Sequence, residues 1–526
     1  MQVMATFWNW LDMRRQRQRA LTPLDHAARL SLRKFEERQV LSVTAGVVQG
    51  VVDVHVTDAN QTVTLSTDGN GNLVVDGTID GQANQHIVFD AGSFSSIHLT
   101  SDAAANQSVL FDGSHAMDLS GSITVDSGFA HIAIDSDVEA DGGIAMTADD
   151  ISLLSSGQLT SLGSDIHLAA DDLTMAGGIL SNHHDIQLSA QETLTVTSTG
   201  WLLNNGGFIT LDAGSNGTLT FSGSIDVSET SSGGIGGTIH LLGETISLNS
   251  GARVLATGNA GGGAVLIGGD QGGTNAAVHN AFDTTIADDV LIDTSATMTG
   301  DGGTVVVWSD DTTEFHGTIR STGGAESGDG GFAEVSGHLH LQVTGLADLT
   351  AQDGQTGTLL LDPGSILIIH DPSTSAPLSP FNVVTDGYIN QQLTTANLVV
   401  STSTSTDSLA EDLTLDAAAI ITWGNTNSLT LIGNNSVVLD GTISNTTAAG
   451  QLVVTGGSID INNSITVTSG TVTLNGTSAV TEGVAGTITA SGLELLGSGP
   501  FALTNAGNEI GILAASTTGA ISYQDA

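Results

Sequence analysis

Cysteine is absent from this chain of 526 residues, so neither disulfide bonds nor thiolate metal sites contribute to its structure. Proline is scarce, and none of the six prolines lies between residues 24 and 362. Long stretches of hydrogen-bonded strand require that absence, because proline donates no hydrogen bond to the ladder. Long continuous apolar runs, of the length that a bilayer-spanning helix needs, are also missing, so no transmembrane helix is predicted.

Basic residues are nearly missing from most of the chain. Beyond residue 41, only Arg253 and Arg320 stand against 52 acidic residues, which gives a formal charge of −50. The segment 1–41 holds eight basic and four acidic side chains and carries +4. A body this acidic repels nucleic acids and anionic membrane surfaces. We therefore expect no nucleic-acid partner, whereas divalent cations would be attracted.

Short segments of alternating apolar residues recur at the length of one turn of a coil. Four of them begin at Ile144, Ile166, Ile186 and Ile209, at nearly even spacing. This repeat, together with 67 glycines for tight turns, predicts an all-β fold, a β-solenoid. Disorder is the alternative for a Gly- and Ser-rich chain, but 39% hydrophobic residues in regular alternation favour a folded body. Alternate residues of each strand should face inward and stack on the next turn.

Residues 1–42 differ from the rest and form a basic, targeting-like segment. Thr22 and Pro23 resemble the N-cap and first position of a helix, and apolar spacing predicts that helix over about residues 23–38. A flexible basic tail is the alternative. Residues 35–42, Phe-Glu-Glu-Arg-Gln-Val-Leu-Ser, resemble the Leu-Glu-Pro-Arg-x-Leu-Leu type motif of very large repetitive bacterial surface proteins. That resemblance implies a role in export or sorting.

The remaining chain is predicted to form two solenoid blocks. The first covers residues 43–362. Residues 363–405 hold four of the six prolines and an alternating Ser-Thr run, so they are interpreted as a junction with one or two helical turns near Tyr388. The second block covers residues 406–526, where the apolar repeat returns. No capping element follows its last strand, so its end is expected to expose a strand edge.

Residues 265–363 carry a more specific set of motifs. The set comprises Val-Leu-Ile-Gly-Gly-Asp at 265–270, Gly-Gly-Thr-Val-Val-Val-Trp-Ser-Asp at 302–310, Phe-His-Gly-Thr-Ile at 315–319, Gly-Asp-Gly-Gly-Phe-Ala-Glu-Val-Ser-Gly at 328–337 and Gly-Thr-Leu-Leu-Leu-Asp-Pro at 357–363. In order and spacing, these motifs resemble the filamentous-haemagglutinin-like family of large secreted bacterial exoproteins. Weaker similarity extends through residues 388–526.

The resemblance implies a right-handed parallel β-helix and a role in adhesion, cell contact or biofilm attachment. It also implies an extracellular or cell-surface location on a Gram-negative outer membrane, with an outer-membrane exporter and cell-surface glycans or proteins as partners. The Asn-Pro-Asn-Gly type motif of that family's secretion domain does not occur in this sequence, which leaves the export route open. We therefore expect a non-enzymatic exoprotein that acts as an adhesin or a structural stalk.

Two alternatives to an adhesin stay open. β-Helices also host polysaccharide lyases and glycoside hydrolases. A lyase acting on acidic sugars needs cationic groups, and the body offers only Arg253 and Arg320. Hydrolysis needs only two carboxylates, although no particular pair is marked by the sequence. The other alternative is a non-functional fragment of a larger exoprotein, suggested by the missing secretion motif and the uncapped end.

The sequence assigns no catalytic or cofactor-binding residues, and calcium is the one ligand that its acids suggest. The candidate calcium ligands are Asp149, Asp150, Asp171, Asp172, Asp288, Asp289, Asp310 and Asp311. They form four Asp-Asp pairs at expected strand ends. The alternative is that these are solvated turn acids, because Asp side chains bond local backbone amides in turns.

Two further features suggest sites of other kinds. His338 and His340 alternate around Leu339, which would place both histidines on one side of a strand. Two histidines can begin a zinc site, but the sequence offers no third ligand, and a solvent-facing pair is the alternative. Trp308 closes an apolar run, so we expect it in the core rather than on a sugar-binding platform. With few aromatic residues beyond residue 42, no long aromatic groove is expected.

Overall fold

The computed structural model describes residues 42–102, 106–113, 115–371, 382–402 and 411–526. Within these ranges the chain forms 46 strands and a single α-helix. Most strands pair in parallel with the strand one turn away, so the protein is an all-β parallel β-helix, which confirms the fold class. The helix predicted over residues 23–38 and residues 35–41 of the sorting-like motif lie outside the described residues.

The first strands form an antiparallel cap. They are β1 (Val43–Val48), β2 (Val51–Val56), β3 (Gln61–Thr67), β4 (Leu73–Ile79) and β5 (Gln82–Phe89). β1 pairs antiparallel with β2, and β4 pairs antiparallel with both β3 and β5. Gln49 and Gly50 join β1 to β2, while Asp80 and Gly81 join β4 to β5, all four with positive φ. Positive φ at both positions is the type I′ geometry of two-residue hairpins.

The cap differs from the sequence analysis, which treated residues 43–362 as parallel throughout. β2 and β3 also pair in parallel with the first turn of the coil. β2 and β3 therefore cover the edge that this first turn would otherwise expose to other chains, and the antiparallel β1 and β4 cover β2 and β3 in turn.

After the cap, each turn of the coil contributes strands to three faces. The first face contains β6 (Ser96–Ser101), β17 (Phe208–Asp212), β20 (Thr238–Leu242), β23 (Ala264–Ile267), β26 (Thr304–Ser309), β29 (Phe332–Gly337), β32 (Thr358–Leu361) and β35 (Asn397–Ser401). The second contains β7 (Ser108–Phe111), β18 (Thr218–Phe221), β21 (Thr245–Leu248), β24 (Asp283–Ile286), β27 (Thr312–Phe315), β30 (His340–Val343), β33 (Ile366–Ile369), β34 (Val383–Thr385), β36 (Asp412–Leu415), β42 (Val480–Glu482), β44 (Phe501–Leu503) and β46 (Ile521–Tyr523). The third contains β8 (Met117–Leu119), β10 (Asp137–Ala140), β12 (Gln158–Ser161), β14 (Gly178–Ser181), β16 (Trp201–Asn204), β19 (Ser224–Asp226), β22 (Arg253–Leu255), β25 (Leu291–Asp293), β28 (Thr318–Arg320), β31 (Leu346–Asp348), β37 (Ile420–Thr422) and β39 (Thr442–Asn445).

Longer strands run from one face onto the next. The first and second faces share β9 (Ile123–Ile134), β11 (Ile144–Leu153), β13 (Ile166–Met175), β15 (Ile186–Val196), β38 (Ser428–Leu439) and β40 (Gln451–Ile461). The third and first faces share β41 (Ser464–Gly476), β43 (Thr487–Gly497) and β45 (Glu509–Thr517). In all of them except β45, which is largely exposed, inward side chains are buried on both faces.

The core consists of columns of inward side chains, one from each turn. The four isoleucines that begin the sequence repeat, Ile144, Ile166, Ile186 and Ile209, are direct partners across β11, β13, β15 and β17. All four are buried, so the predicted register is confirmed. Stacking of like apolar side chains at the strand spacing of about 4.8 Å gives a continuous core without a single large centre.

Ladders continue through the predicted junction at residues 363–405. β32 pairs with β35, and β33 pairs with both β34 and β36. The predicted helical turns are present as α1 (Asp386–Gln392), which begins at an N-cap where the Thr385 hydroxyl accepts the Tyr388 N–H. Gln392 bonds both backbone groups of Ala347 on β31 through its side-chain amide. The amide of Asn390 bonds β37 in the same way, so α1 takes the place of a third-face strand.

His98 links the cap to the coil. On the outer side of β6, its Nδ1 lies 3.1 Å from Asp53 of β2 and its Nε2 lies 3.1 Å from Asp126 of β9. Burial of the ring disfavours the charged form, but the hydrogen bonds and charges of Asp126 and Asp53 outweigh it and raise the His98 pKa. A raised folded-state pKa means that this contribution to stability is present below the unfolded pKa, about 6.5. It is lost as pH rises through the folded pKa.

We therefore expect His98→Gln to destabilise the cap more at pH 5.5 than at pH 8.5. Amide hydrogen exchange in β2 and β6, compared between wild type and variant at the two pH values, measures the difference. His167→Gln, at an exposed position on β13, is the control and should leave these amides unchanged. A difference for His98→Gln that does not depend on pH would contradict the assignment.

Candidate functional site

An open cleft of about 490 Å³ lies on the outer side of the third face. Three consecutive third-face strands, β25, β28 and β31, end at Asp293, Arg320 and Asp348, which are direct partners across the turns. These three side chains line the cleft. We call this site the polar cleft. Its charged column alternates carboxylate, guanidinium and carboxylate at the strand spacing of about 4.8 Å.

A second column of hydroxyl groups runs beside the charged one. It consists of Ser295, Thr322 and Thr350, and all three line the cleft. Each lies two residues after a member of the charged column. In each turn, one residue separates the two columns, and this residue points inward and is buried: Thr294, Ser321 and Leu349. Strand alternation therefore places both columns on the same outer surface.

Hydrogen bonds fix both columns. Asp293 accepts the Ser295 N–H at 3.0 Å, and Asp348 accepts both the N–H and the hydroxyl of Thr350 at 3.2 and 2.7 Å. These are the Asx turns expected where Asp precedes Ser or Thr by two residues. The Ser295 hydroxyl in turn accepts the Thr322 N–H of the next turn at 3.1 Å. In both carboxylates these bonds use Oδ1.

Arg320 separates two carboxylates that would otherwise face each other across the turns. Its Nη1 lies 3.7 Å from Oδ2 of Asp293. Its side chain is 49% exposed, whereas that of Asp293 is 12% exposed. The guanidinium therefore offsets one of the two negative charges of the column, and about half of its side chain stays open to solvent.

A second polar cluster lies on the first face, but it is covered. Residues 268–281, between β23 and β24, form an excursion over the outer side of β26 and β29 and include a 3-10 helix, Gln271–Gly273. We call this segment the excursion. The Gly272 N–H donates to Oε1 of Glu334 at 3.2 Å. The Asn280 side-chain amide donates to Asp310 at 2.8 Å, which anchors the C-terminal end of the excursion to the end of β26.

Glu334 is the most strongly perturbed carboxyl in the described structure. It is 0% exposed, and burial, followed by the charges of Asp362 and Asp270, raises its pKa to about 7 despite the bond from Gly272. Burial likewise raises the pKa of Asp362. Oε2 of Glu334 and Oδ1 of Asp362 have no hydrogen-bond partner among the described residues. Glu334 therefore keeps its proton at pH values where an exposed glutamate has already lost it.

The two clusters have different chemical capacities. The polar cleft is open and presents acceptors, donors and hydroxyl groups to solvent. The covered cluster contains a carboxyl group of the kind that catalytic acids need, yet its Glu334 is closed off from ligands by the excursion. The two lie on different faces, so the raised-pKa carboxyl and the open cleft are not combined in one site.

The predicted calcium ligands lie at separate places in the structure, and several of them form hydrogen bonds or ion pairs with other residues. Asp150 and Asp172 are direct partners on β11 and β13, but Asp150 also lies 2.7 Å from Nδ1 of His131. Asp172 accepts the Thr193 hydroxyl. Asp149 and Asp171, next to these in the same strands, are exposed and half-buried.

The other two Asp-Asp pairs lie in turns. Asp289 accepts the Gly251 N–H at 2.9 Å, and hydrogen bonds from Ser250 and Gly251 lower its pKa; its neighbour Asp288 is exposed. Asp310 bonds the excursion and the Trp308 indole, and Asp311 lies 3.9 Å from His340. Across the described residues, no group of three or more His, Asp or Glu is arranged to hold a metal ion. Calcium binding stays a prediction.

His338 and His340 do not share one side of a strand, contrary to expectation. β29 ends at Gly337 and β30 begins at His340, so the chain turns between them. The His338 ring lies 6.4 Å from the Trp308 ring on the first face, whereas His340 begins the second face. The turn that separates faces could not be located from alternation alone, which explains the error.

Trp308 is buried as predicted but is not part of the central core. It is 4% exposed and lies on the outer side of β26, beneath the excursion. A Cβ atom added at Gly273 would lie 2.4 Å from its ring, which shows how closely the excursion packs. Its Nε1 donates to Asp310 at 3.1 Å. An unbroken run of apolar residues over 305–308 was the sequence signal that the outer side of this strand is covered.

The polar cleft was not predicted from the sequence. Its signal was the recurring Asp-x-Ser or Asp-x-Thr at residues 226–228, 293–295 and 348–350. Turn chemistry explains each of these locally, and only the register between turns shows that two of them flank Arg320.

No family model matches the sequence, and no curated protein matches it either. Among solved structures, the fold is similar to the HMW1 secretion domain from Haemophilus influenzae, with a TM-score of 0.30 and 16% identity over 60% of this chain and 97% of that chain. A similarity at this level supports no inference about function. No described helix has the length and hydropathy needed to cross a bilayer.

Proposed function

We propose that this protein is a secreted or surface-exposed, adhesin-like exoprotein that makes contacts through the outer surface of its β-helix and catalyses no reaction. The observation that carries the proposal is the polar cleft, an open binding surface built on rigid ladders. Its carboxylates are fixed in Asx turns, and the buried carboxyl group whose pKa is raised to about 7, Glu334, lies on another face. Such a surface suits contact with a polar partner better than proton transfer.

The charge distribution and the sequence motifs support the same proposal. Beyond residue 41, the excess of 50 negative charges keeps the molecule soluble and repels nucleic acids. The motifs at residues 265–363, which resemble filamentous-haemagglutinin-like exoproteins, lie in the same turns of the coil as the polar cleft, and the first of them leads into the excursion. On this proposal the protein lies outside the cell or on the outer membrane, with an outer-membrane exporter and cell-surface glycans or proteins as partners.

The proposal predicts that intact source cells expose the protein. Shaving of intact cells with proteinase K, followed by mass spectrometry, should release peptides from residues 46–526. Trypsin is unsuitable, because Arg253 and Arg320 are the only basic residues in that range. A cytoplasmic enzyme followed in the same samples controls for lysis. Peptides that appear only after lysis would contradict an exported protein and favour the fragment alternative.

A β-helical glycan-active enzyme is the second candidate function. The observation that favours it is the placement of Asp293 and Asp348 two strands apart in one cleft, with backbones roughly 10 Å apart at the usual spacing. Inverting glycosidases hold their two carboxyl groups about 6.5–9.5 Å apart. Release of reducing ends from a panel of polysaccharides, lost in both Asp293→Asn and Asp348→Asn, would establish this function and overturn the non-catalytic one.

A further inference from the structure

We propose that the polar cleft binds a neutral glycan through its hydroxyl groups. This inference rests on the proposed contact function and names its ligand class and its residues. The cleft encloses about 490 Å³, which lies within the range of about 300–1,000 Å³ typical of small-molecule sites. It therefore has room for a short segment of a chain of sugars.

The donor and acceptor groups of the cleft match sugar hydroxyls. Asp293 and Asp348 only accept hydrogen bonds, Arg320 only donates them, and the hydroxyls of the second column can do both. A sugar hydroxyl donates one bond and accepts others, so adjacent hydroxyls of one ring can bond a carboxylate and the guanidinium together. Bonds to charged groups are the stronger ones. The Oδ2 atoms of both carboxylates are not used by the Asx turns, although Oδ2 of Asp293 lies 3.7 Å from the Arg320 guanidinium.

Charge excludes other ligand classes from the cleft. Two carboxylates and one guanidinium leave the cleft with one net negative charge, within a body of −50. An anionic ligand is therefore repelled. A divalent cation needs several oxygen ligands around one point, but the guanidinium of Arg320 lies between the two carboxylates. A neutral ligand rich in hydroxyl groups remains.

The backbone and the two carboxylates of the cleft are already fixed before a ligand binds. Its walls are formed by ladder residues and by short segments such as Gly323 and Ala325. The side chains of Asp293 and Asp348 are held by backbone hydrogen bonds, so little side-chain entropy is lost when a ligand binds. No aromatic side chain lines the cleft, and without stacking on a ring we expect weak binding that depends on several sugar units.

The test uses the full chain and two matched arginine variants. Wells are coated with neutral polysaccharides (dextran, mannan, galactan and xylan) and with polygalacturonate as the acidic probe. Arg320→Gln and Arg253→Gln change the net charge equally, and Arg253 lies at the start of β22 on the same face but outside the cleft. Wild type and Arg253→Gln should be retained on at least one neutral polysaccharide and not on polygalacturonate. Arg320→Gln should be retained at least tenfold less.

A second variant covers the case in which Arg320→Gln disturbs the fold. Thr322→Val keeps the charge and the backbone N–H that bonds Ser295, and it removes one hydroxyl from the cleft. It should also weaken retention. No retention of wild type on any neutral polysaccharide, stronger retention on polygalacturonate, or equal retention of the Arg320 and Arg253 variants would each overturn the inference.

The outcomes separate this inference from the proposed function. If proteinase K releases the protein from intact cells but no neutral polysaccharide retains it, the exoprotein proposal stands and the glycan inference fails. If Arg320-dependent retention is found but the protein is released only by lysis, the glycan site stands and the exoprotein proposal fails.

Discussion

Replacing Glu334 with glutamine is expected to stabilise the protein at pH 8 and to have little effect at pH 4.5. Glu334 is fully buried between the first face and the excursion, and its pKa is raised from 4.5 to about 7, first by burial. An unfolded glutamate has released its proton by pH 6, whereas the folded protein still holds it. The free energy of unfolding therefore falls as pH rises from about 4.5 to about 7, and the loss persists above that range.

Glutamine removes this loss because its side chain cannot ionise. Its carbonyl oxygen can still accept the Gly272 N–H, and its shape is that of the protonated acid. From the shift in pKa, the gain at pH 8 is about 3 kcal/mol. Since a solenoid opens locally, the gain should appear first as slower hydrogen exchange in the excursion and in β29.

Hydrogen exchange and thermal unfolding at pH 4.5 and pH 8 measure the effect. Glu314→Gln is the matched control, because Glu314 lies on the neighbouring β27 at a half-buried outer position and the substitution changes the charge equally. Equal gains for the two variants at pH 8 would mean that lowering the net charge, not relief of a buried carboxylate, stabilises the protein. A destabilised Glu334→Gln at pH 8 would contradict the assignment directly.

The inward side of the coil was predictable from sequence, whereas the outer side was not. The isoleucine repeat fixed which residues stack, because a one-residue slip would move every apolar side chain outward. The antiparallel cap could also have been predicted, since Asp80-Gly81 is a hairpin signal. The parallel prediction was only partly wrong there, because β2 and β3 do continue the parallel ladders. The alternation of inward and outward side chains does not show whether another segment covers an outward residue. Trp308 was therefore predicted to lie in the central core, although it is buried on the outer side of the sheet.

Sites on the outer surface depend on the register between successive turns of the coil. Asp293, Arg320 and Asp348 become neighbours only because loops of suitable length bring their strands into register. Glu334 is perturbed only because the excursion, which comes from a distant part of the chain, covers it. Local motifs such as Asp-x-Ser and the apolar run at residues 305–308 mark single strands, but they do not show which strands and loops become neighbours.

Gly303→Ala is expected to destabilise the central turns by about 3 kcal/mol. Gly303 belongs to a column of glycines that precede consecutive first-face strands. A Cβ atom on Gly303 would lie 1.9 Å from the carbonyl oxygen of Gly263 one turn away. The same close approach to the preceding turn recurs at Gly237, Gly263, Gly331 and Gly357, at 2.1, 2.1, 2.1 and 2.0 Å. In each case the atom approached is backbone, so no flexible side chain can move aside.

Thermal unfolding and hydrogen exchange in β23, β26 and β29 check this prediction. Gly46→Ala is the control, because a Cβ at that position on β1 would have no atom within 4 Å, and alanine should be tolerated or slightly stabilising there.

The difference in stability between Gly303→Ala and Gly46→Ala tests the structural role of the glycine-rich motifs. If Gly303→Ala is destabilised and Gly46→Ala is not, the paired glycines at residues 262–263, 302–303 and 330–331 serve close packing of successive turns. If both variants are equally stable, the turns can separate to admit a side chain. The rigidity that the cleft requires would then have to come from its Asx turns alone.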